Sequence, residues 1–572
     1  MQASVLLIPG SVGLQEETQR MEQTLVNASV TLKDVVAGTN FSAIDWVIVS
    51  VYLMISVVIG LWVNRYARSM TAYIGAGRSV GTWLGIATMT GTELGLVTVM
   101  YNAEVGYRDG FASFHIGLIF GVMMLIVGLT GFIVAPLRRE RVLTIPEYYA
   151  KRFNRRTQIL GGLILATAGI LNMGVFLSVG SKFLVGITGL NPDAMAVPIV
   201  MTVLLVIVLL YTVLGGMISV IITDFVQFVV LSVGVIVTTL IAINALGMST
   251  IVETVEREME AGFNPVAASS NFGVSYVSFT VMMGLMTCAV WPTMVSRALA
   301  MESDTAVKRQ YTFSSVSFAM RMVIPAFWGI CAFVFIRQMA GPDVVGYFMP
   351  AGDGQVPDSA YAMPVFLGRI LPVGLIGIIT AAMIAAFMST HDSYLLCWSS
   401  VLVQDVVAPI RGEMSTRSRI QLTRLFVVLI GIFVWAWGLF YEGDDRIWDY
   451  LAVTGAIYFT GAAVVLAGGL YWKRASSAGA IAGLLCGATA VLGIEAIRDQ
   501  INQALGTGFT GPEFGLFSIA FSLTSFVLFS LLVPDQPTNA NGTSPSEEVG
   551  LAISSLVLGI VSLVLHNVPI AG

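Results

Sequence analysis

The feature that most constrains this chain is a series of apolar runs, each long enough for a helix to cross a bilayer. Such a helix needs about 20 apolar residues for a ~30 Å hydrocarbon core. Fourteen candidate segments start near residues 44, 80, 111, 157, 195, 218, 271, 311, 370, 420, 447, 478, 514 and 549. Only 11% of the residues are charged and 56% are hydrophobic. Soluble domains carry about 25% charged residues, so a water-soluble fold could not cover its surface with this composition. The expected fold is an all-α, polytopic membrane protein.

Several function classes fall away at once. The net charge of −5, without a basic patch interleaved with aromatics, argues against a nucleic-acid partner. Cys288, Cys331, Cys397 and Cys486 lie in apolar segments with no CxxC pair, and histidines are few, so neither a disulfide framework nor a zinc site is expected. The N-terminus lacks the basic region of a signal peptide. Without a GxxxxGK[ST] loop, an ATP-driven pump or fused sensor kinase is not expected; without HExxH or GxSxG in a helix, nor is an intramembrane enzyme.

Lys and Arg set the orientation. With the N-terminus outside, 19 of the 29 fall in inside loops, among them Arg78, Arg138, Arg297 and Lys308. Eight fall outside, and Lys182 and Arg321 are placed near helix ends. The reading divides the chain into an extracytoplasmic segment at 1–43, a transporter domain at 44–533, a polar linker at 534–548 and a last transmembrane helix at 549–572. Sequons occur at Asn27, Asn40 and Asn541, a weak motif by itself.

Function is sought where lipid logic is broken. An ionisable residue at a helix centre costs about 2.5–3.5 kcal/mol on insertion scales. Glu93, Asp224 and Asp392 break the rule. Glu93 lies in WLGIATMTGTELGLVTVMY, rich in glycine and threonine. Such residues loosen a helix and offer oxygen ligands, and irregular backbone is tolerated at membrane depth where it lines a cavity. Small residues also serve close helix packing, but a packing face does not need a carboxylate. Ser389, Asp392 and Ser393 share one helix face, since i, i+3 and i+4 are neighbours. With Thr390 they supply the oxygen ligands that hard cations prefer. The bland alternative is hydroxyl back-bonding to helix carbonyls, which does not explain Asp392. His391 reads as a packed residue, and Asp224 equally as an interfacial cap.

These segments resemble the solute:sodium symporter family, over roughly 44–495. Five motifs carry the resemblance, in the family's order: GRSVGTW at 77–83, LTIPEYYAKRF at 143–153, YTVLGGMISVIITDFVQ at 211–227, AAFMSTHDS at 385–393 and GLYWKRASSAGAIAG at 469–483. The resemblance implies a LeuT-type fold of two five-helix inverted repeats, here about 80–246 and 271–470, with substrate and Na⁺ at the midplane. Paired Gly- or Pro-interrupted segments point to such a site; the segment around Gly91 and FTVMMGLMTCAVWP at 279–292 fit. Met-rich packing is the alternative for the second.

Carried over by residue, the family's sodium site falls on Gly91, Leu94, Ala386, Ser389 and Thr390. Gly91 and Leu94 depart from the usual side chains, but those positions contribute carbonyls. A second cation site maps to Asp224, Ser389, Asp392 and Ser393, where Asp392 is an extra acid. Arg78 matches an arginine before the first core helix, with a coupling role. The substrate positions match less well and fall on Glu93, Thr90, Gly284, Cys288, Trp291 and Tyr458. Glu93 can bind a substrate amine, tune a sodium site or accept a proton.

The expected function is Na⁺-coupled import of a small organic solute by alternating access, in a multi-pass protein of the plasma (bacterial inner) membrane acting as a monomer. The alternatives are an H⁺-coupled carrier using Glu93 or Asp392, and a sensor that binds solute without moving it.

Overall fold

The computed structural model describes residues 30–63, 78–192, 195–349, 358–441 and 446–535. The span expected from 549 lies outside them. The described residues form helices joined by short loops, with one isolated bridge, Val80 to Met301. The helices that build the bundle are α1 (Ala43–Val63), α2 (Thr82–Glu93), α3 (Leu96–Asp109), α4 (Phe114–Thr130), α5 (Arg155–Asn172), α6 (Phe176–Thr188), α7 (Ala196–Leu246), α8 (Gly273–Val290), α9 (Pro292–Ala300), α10 (Asp304–Gln338), α11 (Leu375–Val401), α12 (Thr416–Phe440), α13 (Ile447–Tyr471), α14 (Ser477–Ala488) and α15 (Gly511–Leu532).

Among the described residues, nine helical stretches are long and apolar enough to cross a membrane, or ten if the pair bent by 83° at 477–505 counts as one span. Outward-facing Leu118, Val122 and Leu129 on α4, and Leu425, Leu429 and Ile432 on α12, are exposed. In water such stripes would be a liability; against lipid they are the expected surface. The chain is an integral, multi-pass membrane protein.

The segments expected from 195 and 218 lie in the single 51-residue helix α7. No proline follows Pro198 within it, and the Gly215–Gly216 pair costs only about 1 kcal/mol per residue against alanine, too little to force a stop. A second difference concerns Arg321. It stands in the middle of α10, which begins at Asp304, and not near a helix end. Arg297, assigned to an inside loop, is 2% exposed within α9.

Two helical runs are broken where the site forms. α2 stops at Glu93 because Leu94 (φ −91°, ψ 64°) leaves the helical region, and Gly95 (φ −85°, ψ 163°) starts α3. α8 stops before Trp291 (φ −65°, ψ 123°), and Pro292 opens α9. A residue before proline is pushed out of the helical region, and proline suits a first helical position. α10 clamps the first broken pair, packing on α3 and α4. That approach needs small residues: a Cβ on Gly106 would strike the Ala326 carbonyl, and one on Gly329 the Ala103 carbonyl.

The Arg-rich end of the bundle is tied by side chains to carbonyls. Arg78, at φ 59°, donates to the carbonyls of Arg141 and Val142, the latter at 3.2 Å. The Val80 amide donates to Ala300 O at 3.1 Å and the Glu302 amide to Val80 O at 3.0 Å, joining the start of α2 to the end of α9. Arg152 Nε donates to Gly469 O at 3.0 Å, and its Nη2 to Ala475 O at 3.2 Å. The motifs at 143–153 and 469–483 therefore meet in space.

Candidate functional site

The last carbonyls of α2 have no helical partner ahead of them, and a helix C-terminus carries partial negative charge. Thr390 on α11 meets that end. Its Oγ1 donates to Thr92 O at 3.2 Å and lies 3.0 Å from Ala386 O on its own helix. A Cβ on Gly95 would collide with the same hydroxyl, so glycine is what lets α11 approach the break. Gly91, Leu94, Ala386, Ser389 and Thr390 are all buried. They offer carbonyl and hydroxyl oxygens at the apposition of α2 and α11. No cluster of three His, Cys, Asp or Glu side chains able to hold a metal occurs among the described residues. The donor set suits a hard, weakly charged cation better than a transition metal.

Asp392 is fully buried, and its Oδ1 accepts from Ser393 Oγ at 3.2 Å. Arg297 reaches the same place: its Nη2 donates to Ser393 Oγ at 3.0 Å and also to Thr92 Oγ1. A guanidinium thus shares Ser393 with the implied second cation site. Asp224 falls in a stretch of α7 whose side chains lie outside the described residues. His391 is a packed residue, with Nδ1 2.9 Å from Phe387 O and its ring against Phe387.

Beside the break lies a cavity of about 90 Å³, lined by α2, α3, α4, α5, α6, α8, α10, α11 and α13 together with Trp291. Glu93 and Trp291 are on its wall; Thr90, Gly284, Cys288 and Tyr458 are not. Thr90 Oγ1 bonds Ser317 Oγ on α10 at 2.8 Å. The Cys288 thiol faces the Phe120 carbonyl at 3.9 Å, and a Cβ on Gly284 would meet Met123, Ile119 and Phe120 of α4. Tyr458 is fully buried. Trp291 Nε1 donates to Tyr394 OH at 3.1 Å, and Tyr101 packs on Trp448 with ring centroids 5.1 Å apart. Seven of the twenty lining residues are aromatic.

Two charged side chains, Glu93 and Arg321, stand in the lining. Glu93 Oε1 accepts from Thr293 Oγ1 at 2.7 Å. Its Oε2 lies 3.3 Å from Arg321 Nη1, which also donates to Glu93 O at 2.5 Å. The Arg321 side chain is 5% exposed and sits over Phe318, 4.0 Å from the ring centroid. Sequence reasoning passed over Arg321, although the rule that singled out Glu93 applies to it equally. A span of about 20 residues starting near 311 already centres on Arg321, so the signal is present in the sequence and its placement near a helix end is the error.

At the end away from the Arg-rich loops, Asp109 at the close of α3 meets Arg446 before α13. Arg446 Nη1 lies 2.7 Å from Asp109 Oδ2, and its Nε lies 2.8 Å from Asp449 Oδ2. Tyr276 OH donates to Asp449 Oδ1 at 2.8 Å.

A helix break at mid-bundle with carbonyls and hydroxyls around it, beside a cavity of about 90 Å³, is an arrangement suited to binding a small solute within the membrane. The model of the sodium:solute symporter family matches residues 73–487. The chain belongs to the sodium:solute symporter family. The sodium/proline symporters of Staphylococcus aureus strains Newman and JH9 are each 23% identical to it over 472 residues, covering 78% of this chain and 85% of theirs. The solved structure of a substrate-bound, outward-open Na⁺-coupled sialic acid symporter superposes with a TM-score of 0.69 at 20% identity, covering 87% of this chain and 99% of that one. The chain is a transporter and not an enzyme, and its family supports Na⁺-coupled solute symport.

Proposed function

We propose that the chain imports a small organic solute together with Na⁺ by alternating access. Na⁺ binds at the Gly91 and Leu94 carbonyls, the Ala386 carbonyl and the Ser389 and Thr390 hydroxyls. The solute binds in the adjoining aromatic cavity. The observation that carries this reading is Thr390 Oγ1, within reach of carbonyls from both the α2 break and α11. A cation entering there would take the place of the hydroxyl's hydrogen bond, the O–H turning away with its proton retained, and draw α11 onto the break. Because Thr92 and Thr390 also line the cavity, ion and solute share a wall, and each raises the other's affinity by the same factor.

The Asp109–Arg446 pair supports a latch at the outer end, and the Arg78, Val80 and Ala300 contacts one at the cytoplasmic end. Opening one set at a time is alternating access. A second cation at Asp392 and Ser393 would have to displace Arg297 from Ser393, so the first site is taken as the coupling site.

The test is thermal stability of the purified chain in NaCl against KCl. Stabilisation by Na⁺ that disappears in Thr390→Ala is the expected result. Equal stability in the two salts sinks the sodium assignment, whatever the solute.

A further inference from the structure

We infer that the transported solute carries a carboxylate, and that Arg321 is the residue that reads it. The inference rests on the solute cavity proposed above and adds the chemical class of what enters it.

Arginine presents donors on a planar fork. In Arg321 the Nη1 corner is committed to Glu93, through its carboxylate and its backbone carbonyl. The other edge of the fork carries Nε and Nη2. Nε is buried and has no hydrogen-bond partner among the described residues. A buried donor left unmade is costly, and a side-chain carboxylate could take this edge, but none from the described residues does. The side chain is 5% exposed, lines the cavity and has its plane fixed over Phe318. The Nε–Nη2 edge is the one that matches two carboxylate oxygens, giving two parallel charge-assisted bonds. A neutral hydroxyl or amide would satisfy the edge less completely.

Charge balance supports the same class. Glu93 and Arg321 together are neutral. A solute carboxylate brings one negative charge into a low-dielectric cavity, which is expensive unless compensated. Na⁺ at Thr390 brings one positive charge to the same wall. Carboxylate and Na⁺ therefore favour each other's binding, which is the coupling a symporter requires. An amine on the solute, if present, has Glu93 Oε2 as its partner. Aromatic walls at Tyr101, Trp291 and Trp448 take the apolar remainder.

The experiment uses the purified full-length chain and thermal stabilisation in NaCl and in KCl. The probes are matched sets: small monocarboxylates such as propionate and cyclopentanecarboxylate, amino acids such as glycine and proline, the amides of both sets, and the neutral sugar glucose. Stabilisation by one or more free carboxylates in NaCl, lost in the amide and in KCl, is the expected result. Response to plain acids identifies the carboxylate alone as sufficient; response only to amino acids adds Glu93 as the ammonium partner. Arg321→Lys keeps the charge but removes the fork, and is expected to weaken the responding probe about tenfold or more. The double variant Glu93→Gln, Arg321→Gln should lose the probe response but keep stabilisation by Na⁺ alone, which also reports that it is folded. Amides or glucose acting as well as the acids, no response to any carboxylate, or unchanged binding in Arg321→Lys overturns the inference. Loss of the Na⁺ effect in the parent chain would instead overturn the sodium site.

Discussion

At the scale of single residues, the site is a matter of which oxygens and charges meet. Ser389→Ala and Thr390→Ala should each remove stabilisation by Na⁺. At a hundred times the dissociation constant that effect is about 2.7 kcal/mol, read as the difference between melts in NaCl and KCl. Gly95→Ala puts a methyl against Thr390 Oγ1. It is expected to cost about 1–3 kcal/mol by overpacking and to blunt the Na⁺ response, a loss that a remote overpacking variant would not share. Arg297→Ala removes buried donors to Thr92 and Ser393, and a loss of about 1.5–3 kcal/mol is expected per charged hydrogen bond. Unchanged stability in that variant would show that the guanidinium is not holding α2 to α11. Much of this scale could be read from the sequence. Glu93 and the Ser389–Ser393 cluster stand out because carboxylates and hydroxyls are rare inside apolar spans. Arg321 breaks the same rule, since a span from 304 or from 311 leaves it central, but only the fold shows that it meets Glu93.

At the scale of elements, the two breaks decide the site. Pro292 is visible in the sequence as a stop, and Trp291 before it is forced extended. The break at Leu94–Gly95 has no proline; glycine permits it, and the contact with Thr390 requires it. The packing of α3 against α10 is also a glycine effect, since Gly106 and Gly329 each face a carbonyl of the other helix. Gly329→Leu should therefore separate the helices that carry Glu93's neighbours and Arg321. Folded yield, followed by size-exclusion profile, is expected to collapse, whereas a Leu substitution at lipid-facing Val316 on the same helix should be tolerated. Thr144 shows how a motif becomes structure. Its Oγ1 caps the helix Ile145–Arg152 through the Glu147 amide at 3.2 Å and donates to Asp405 at 2.9 Å. The sequence shows the motif, but the contact to Asp405, in the continuation of α11, needed the fold.

At the scale of the whole molecule, the two ends of the bundle are tied by different chemistry. An ion pair and a tyrosine join the helices near Arg446, and arginine-to-carbonyl contacts join them near Arg78; in the proposed cycle these are the two latches. Asp109→Asn weakens only the first. It should shift the population toward a state open at that end, since removing one partner of a buried charge pair costs on the order of 3–5 kcal/mol. Labelling of Tyr101→Cys by a membrane-impermeant maleimide should rise severalfold in the Asp109→Asn background. The native thiols Cys288, Cys331 and Cys486 are buried and Cys397 is partly so, which keeps the background low. No increase in labelling would show that the pair is not a latch.

Apolar runs and a shortage of charge are enough to name the solvent: they leave only a helical membrane protein, because lipid offers no partner for an open backbone. The sequence motifs identified the family and pointed to the oxygens around Ser389 and Thr390. Tertiary structure alone decided which of the polar residues share a cavity. It turned Thr90, Gly284, Cys288 and Tyr458 away from the wall, brought Arg321 to Glu93 across 228 positions, and set Arg297 beside Ser393. The reason is geometric. Hydropathy records how deep a residue lies in the bilayer, but the direction it faces is fixed by the helices packed around it.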